Sequence, residues 1–96
     1  MAKTIFIAGK ISGLPIEEAR TKFDHAAHEL IDMGYHVIMP VSLYRKAKNW
    51  DELTRENIRC MLDCDEVHFL PCWQQSKGAQ LERDIAIRLG MNVVYH

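Results

Sequence analysis

The 96-residue sequence contains no apolar run near the roughly 20 residues of a membrane-crossing helix, so no transmembrane helix is expected. Charge of one sign collects nowhere: 12 Lys and Arg stand against 13 Asp and Glu, the net charge is -1, and the charged residues are spread along the length. A nucleic-acid groove would need a basic stripe and a disordered tail an acidic block, and neither is present. Cysteine is scarce too. Cys60, Cys64 and Cys72 form an odd set without a Cys-x-x-Cys pair, which predicts reduced thiols. His25, His28, His36, His68 and His96 are scattered without a ligand spacing, so no metal site is expected. Repeats, low-complexity tracts and linkers are missing as well. What remains is one α/β domain over residues 1–96, soluble and cytoplasmic, with a small-molecule partner, no nucleic-acid polymer and no membrane. At this length folding hides only about 60 to 65% of the extended chain's surface, so a homo-oligomer is expected.

Within these bounds the apolar pattern is ordered. Thr4 to Ala8 is a compact apolar run closed by Gly9 and reads as a strand buried on both faces, β1. From Pro15, apolar residues recur at Ile16, Ala19, Phe23, Ala26, Ala27, Leu30 and Ile31, the spacing of a helix, α1, which Gly34 stops. His36 to Met39 gives β2, ended by Pro40. Val41 to Lys48, with Tyr44, Arg45, Lys46 and Lys48, lacks periodicity and reads as a loop. Asn49 and Glu52 resemble a capping box ahead of α2, whose expected inward stripe is Trp50, Leu53, Ile58, Met61 and Leu62. Val67 to Leu70 is β3, Cys72 to Lys77 a loop, Gly78 to Leu89 a helix, α3, closed by Gly90, and Asn92 to Tyr95 is β4.

Strands this apolar, alternating with helices, predict a parallel sheet covered on both faces. Right-handed crossovers favour the order 2-1-3-4, a flavodoxin-like three-layer sandwich. Its winding reverses between β1 and β3, and ligands bind at the carboxyl ends of such strands. The crevice would then be lined by Gly9 to Gly13 and by Cys72 to Glu82. Gly9, Lys10, Ile11, Ser12 and Gly13 supply small residues, a hydroxyl and an ammonium, while Ser76 and Gly78 supply a hydroxyl and backbone donors at a helix start. Together they suit a phosphate, although the spacing is neither a Walker loop nor the dinucleotide fingerprint, and the glycines could equally serve only the turns. Trp73 or Trp50 could stack on a flat ring or pack in the core, with packing the favoured reading for Trp50 at its helix start. Glu82, one turn inside α3, suggests chemistry; its bland alternative is that it complements the helix dipole.

Three segments carry a resemblance: Ile5 to Gly13, Trp50 to Asp65, and Leu70 to Glu82 with its Ser-x-Gly-x-x-x-Glu element. In that order they resemble the nucleoside 2-deoxyribosyltransferase-like superfamily, nearest its small bacterial and phage members. The resemblance implies that Glu82 is the nucleophile that attacks the sugar C1′, with release of the base and formation of a glycosyl-enzyme ester. It implies that Ser76, where transferases of the family usually carry Asp, binds a phosphate as in deoxynucleoside 5′-monophosphate N-glycosidases. By the same likeness Gly9, Ser12 and Gly13 lie along the phosphate and sugar, and neither a metal nor an organic cofactor is needed. The C-terminal extension by which larger relatives complete a neighbour's pocket is not expected here.

Two positions depart from that pattern. The family's second acid is matched by Asn57, and an amide cannot protonate a leaving base. Glu56, one residue away, is turned by about 100° on a helix. Lys10 stands where proline is usual. An N-glycosidase or deoxyribosyltransferase-like enzyme is therefore set against a nucleotide-binding module without turnover, and against a purely structural domain. Asp65 precedes β3 and is left out of the site, and His68 is read as a satisfied core histidine.

Overall fold

In the computed structural model, which describes residues 2–45 and 49–96, four parallel strands form one sheet in the order β2-β1-β3-β4. The elements follow the expected alternation: β1 Thr4–Ala8, α1 Ile16–Asp32, β2 His36–Ile38, α2 Trp50–Leu62, β3 Glu66–Phe69, α3 Lys77–Arg88 and β4 Asn92–Tyr95. Two short 3-10 turns, Val41–Leu43 and Trp73–Gln75, occupy segments expected to be irregular. Lys46 and Lys48, assigned to the first of those loops, lie outside the described residues.

Alternation along β1 sends its side chains into two cores. Ile5 and Ile7 pack with Ala19, Phe23, Ala27 and Leu30 of α1 on one face. Phe6 and Ala8 pack with Val67 and Phe69 of β3, Met61 of α2, and Ala79 and Ala86 of α3 on the other. One helix therefore covers the first face and two cover the second. This is the flavodoxin-like sandwich, and right-handed crossovers reach it by running α1 back toward β2 and α2 and α3 forward.

Burial on both faces was expected of every strand and holds for β1 and β3. The edge strands differ: in β2 and β4 only Val37 and Val93 are half-buried, and the other strand residues are exposed, because each strand has a single neighbour. The expected stripe of α2 also needs correction. Thr54, Asn57 and Met61 are its buried residues, whereas Trp50 and Leu62 are exposed. The helix is rotated so that its first turns overhang the carboxyl edge of the sheet and meet the Val41–Leu43 turn, not the apolar layer. Ile31, expected in the stripe of α1, is likewise exposed.

The three cysteines are free thiols, and burial pushes Cys64, whose Sγ lies 3.2 Å from the carbonyl oxygen of Cys60, up to about 11. No described helix is long and apolar enough to cross a membrane.

Candidate functional site

Beyond the carboxyl ends of β1 and β3 lies a cavity of about 360 Å³, within the usual range for small-molecule sites. Gly9, Ile11 and Ser12 form one wall, Trp50, Leu53, Thr54 and Asn57 of α2 a second, and Gln75 to Ala79 with Glu82 a third. Pro40 and Ser42 close the end. The backbone can run this close to the sheet because residue 9 is glycine: a Cβ there would stand 3.2 Å from Phe23 Cζ and 3.3 Å from Leu70 Cβ. A side chain at residue 9 would require Phe23 or Leu70 to give by a few tenths of an ångström, so Gly9 has a packing role whatever else it does.

Glu82 occupies a position that the helix pattern reserves for an apolar residue. The buried residues of α3 are Ala79, Glu82 and Ala86, a stripe of i, i+3, i+7 spacing facing the sheet. The side chain is 5% exposed, opens on the cavity, and has no hydrogen-bond partner among the described residues. Loss of hydration disfavours the charged form and pushes this carboxyl up to about 8. The carboxyl thus holds its proton to higher pH than an exposed one does, and a positive charge developing beside it favours its ionisation.

The start of α3 supplies the opposite polarity. Ser76 is its N-cap, with Oγ accepting from the Ala79 N–H at 3.1 Å. The N–H groups of Lys77 and Gly78 precede the first intrahelical bonds and so remain available to an anion. On the far wall, Asn57 is held at both ends of its amide: Oδ1 accepts from the Val41 N–H at 2.8 Å and Nδ2 donates to Ser42 Oγ at 3.0 Å. Those bonds tie α2 to the Val41–Leu43 turn. Glu56 pairs with Arg45 and does not line the cavity.

Of the residues singled out in the sequence, Gly9, Ser12, Asn57, Ser76, Gly78 and Glu82 are brought together. Lys10, Gly13 and Trp73 are not. Lys10 is not a lining residue, although its ammonium donates to Oε1 of Gln75, a wall residue, at 3.0 Å, and Gly13 takes a positive φ of 86° in the turn ahead of α1. Trp73 packs against Phe69 and Tyr95, with ring centroids 5.5 and 5.6 Å away, and borders a separate hollow. The aromatic wall of the cavity is Trp50 instead, with the Lys77 ammonium 4.7 Å from its ring centroid. The signal for Trp50 is an aromatic at the first position of a helix whose next two residues, Asp51 and Glu52, are acidic.

Asp65 lies at the opposite edge, accepting from the Thr4 N–H at 2.8 Å. His68 is buried with both ring nitrogens engaged, by Glu66 Oε1 at 3.0 Å and by His96 Nε2 at 2.9 Å. Among the described residues no group of three or more His, Cys, Asp or Glu is arranged to hold a metal ion.

The model of the family described as Domain of unknown function (DUF4406) matches residues 3–95. The chain belongs to this family. In this DUF4406 chain the match runs from β1 through β4, and so includes every residue of the cavity wall. No curated protein matches it. The four-stranded parallel order, with helices on both faces, is consistent with the nucleoside 2-deoxyribosyltransferase-like superfamily.

Proposed function

We propose that the cavity binds a nucleoside or nucleoside 5′-monophosphate and cleaves its N-glycosidic bond with Glu82 as the nucleophile. The observation that carries this reading is a buried, unpartnered carboxyl opening into a hollow whose rim is a helix start. A phosphate is placed on the Lys77 and Gly78 N–H groups and the Ser76 hydroxyl, with Ser12 across from it, so that the sugar C1′ comes to Glu82. Glu82 reacts as the carboxylate, its proton having passed to water; one oxygen bonds to C1′ while the C1′–N bond breaks, the electron pair of that bond passes to the base, and the base takes a proton from water. The glycosyl ester is opened by water, giving hydrolysis, or by a second base, giving transfer. An oxocarbenium-like transition state beside Glu82 favours the ionised carboxyl that burial disfavours.

The test is release of free base from a panel of nucleosides and 5′-monophosphates, followed chromatographically. Wild type is expected to release base, and Glu82→Ala to lower the rate at least about 100-fold; release that survives the change removes the assigned nucleophile.

Asn57 favours a second reading, a nucleotide-binding module without turnover, since its amide is committed to Val41 and Ser42 and carries no acidic proton. Binding without base release in wild type, together with base release gained by Asn57→Asp, supports that module and names the missing proton donor.

A further inference from the structure

We infer that Trp50 and Lys77 form a clamp whose partners are exchanged on binding, and that it selects a base joined to a phosphate, a nucleoside 5′-monophosphate, over the free nucleoside. The inference rests on the reading of the cavity as a nucleotide site.

The Lys77 ammonium sits 4.7 Å from the centroid of the Trp50 ring, and both side chains line the cavity. Trp50 is 40% exposed, so its indole is not buried in the core as a packing residue would be. It stands at the mouth, with Nε1 3.9 Å from the point a Cβ on Gly78 would occupy. Lys77 is the first residue of α3, so its ammonium is tethered beside the open N–H groups of the helix start. Glu82, buried in the same cavity with no hydrogen-bond partner among the described residues, marks it as a ligand site independently of that helix start.

A ring face covered by an ammonium is closed to a stacking base. The ammonium gains more from a phosphate, through charge-assisted hydrogen bonds, than from an aromatic face at an exposed mouth. A 5′-monophosphate therefore draws Lys77 off the indole and places its own base on the face thus opened. A free nucleoside must displace the ammonium with nothing offered in return. A sugar phosphate takes the lysine but leaves the indole bare. Selectivity follows from joining the two gains in one ligand, without a further contact.

The experiment is calorimetric titration of the full chain with a 2′-deoxynucleoside 5′-monophosphate, the matching nucleoside, and 2-deoxyribose 5-phosphate. Wild type is expected to bind the monophosphate at least about tenfold more tightly than the nucleoside, a gap of about 1.4 kcal/mol. Lys77→Ala is expected to close that gap, weakening the monophosphate about tenfold while the nucleoside binds equally well or better. Trp50→Ala is expected to weaken both base-bearing ligands by a similar factor and to leave the sugar phosphate unchanged, and Trp50→Phe, which keeps an aromatic face, to restore most of the loss. Lys77→Ala weakening nucleoside and monophosphate equally, or Trp50→Ala leaving both untouched, overturns the clamp. Wild type that releases base through Glu82 but shows no Lys77-dependent gap overturns the clamp alone. Wild type that binds none of the three overturns the clamp together with the nucleotide reading beneath it.

Discussion

A carboxyl placed in an apolar stripe without a partner works against folding, and Glu82 makes that cost measurable. Its pKa is raised from 4.5 to about 8, so the folded state keeps a proton that the unfolded chain releases. For a group raised on folding, the penalty is absent below the unfolded pKa and grows as pH climbs toward the folded one. At about 1.4 kcal/mol per pH unit, wild type loses about 3 kcal/mol through this residue between pH 4.5 and 7. Glu82→Gln carries no titrating group there. Its stability relative to wild type is expected to rise by that amount over the same interval, measured by urea unfolding at each pH. Parallel profiles for the two proteins would mean that this carboxyl is hydrated in the native state. Glu82 was legible in the sequence because an acid inside a helix start after a buried strand is unusual in itself. From the sequence either tryptophan can stack on a ring, packing is the favoured reading for Trp50, and Trp73 falls in the crevice. Which of the two reaches the cavity is decided by the path of the chain between Leu70 and Ser76, which docks Trp73 against Phe69 and Tyr95, residues of two different strands.

At the scale of elements, the start of α3 holds together a local and a long-range function. Ser76 caps the helix, and Ser76→Ala is expected to lower stability by about 1 kcal/mol in denaturant unfolding. Ser76→Asp keeps a capping oxygen but sets a negative charge beside the proposed phosphate position. It is therefore expected to leave stability near wild type while weakening a 5′-monophosphate at least about tenfold and sparing the nucleoside, read by calorimetry. Equal loss of both ligands would detach Ser76 from the phosphate. Helix α2 shows where periodicity misleads. Its apolar residues at 50, 53, 58, 61 and 62 suggested one stripe, but the buried line runs through Thr54, Asn57 and Met61. Asn57 is buried because its amide satisfies the backbone of a turn 16 residues earlier in the chain, a partner that no local pattern announces.

Across the whole molecule, a hydrogen-bonded chain on the α1 face runs from Lys3 through Glu66 and His68 to His96 and ties together the ends of three strands. His68 and Lys3 hold the Glu66 carboxyl below the usual carboxylate range, while burial and the neighbouring His68 hold His96 below the usual imidazole value. Both pKa values are depressed on folding, so both groups contribute stability that is present above their unfolded values and lost as pH falls through the folded ones. Stability from this chain is expected to fade below about pH 6.5, where the unfolded chain's His96 takes up a proton that the folded one resists, and again below about 4.5, where the same holds for Glu66. Glu82 imposes the opposite trend in part of that range, so the measurement belongs in Glu82→Gln protein. There, adding Glu66→Gln is expected to flatten the lower limb of the profile, and an unchanged slope would leave Glu66 without a part in it.

The residue pattern sets the kinds of element, their order and the parallel 2-1-3-4 sheet. Strand and helix periods are properties of neighbouring residues, and the handedness of crossovers then leaves few ways to pack them. That pattern also determines that the turn after β1 and the start of α3 meet at one edge, since strand order alone enforces that. Packing between distant segments sets the rotation of α2, the burial of Asn57 against a distant turn, the presence of Trp50 rather than Trp73 at the cavity, and the seating of Lys77 on the indole. Each depends on which surfaces far apart in the chain compete for the same space, and a one-residue turn of a helix by about 100° is enough to change the winner.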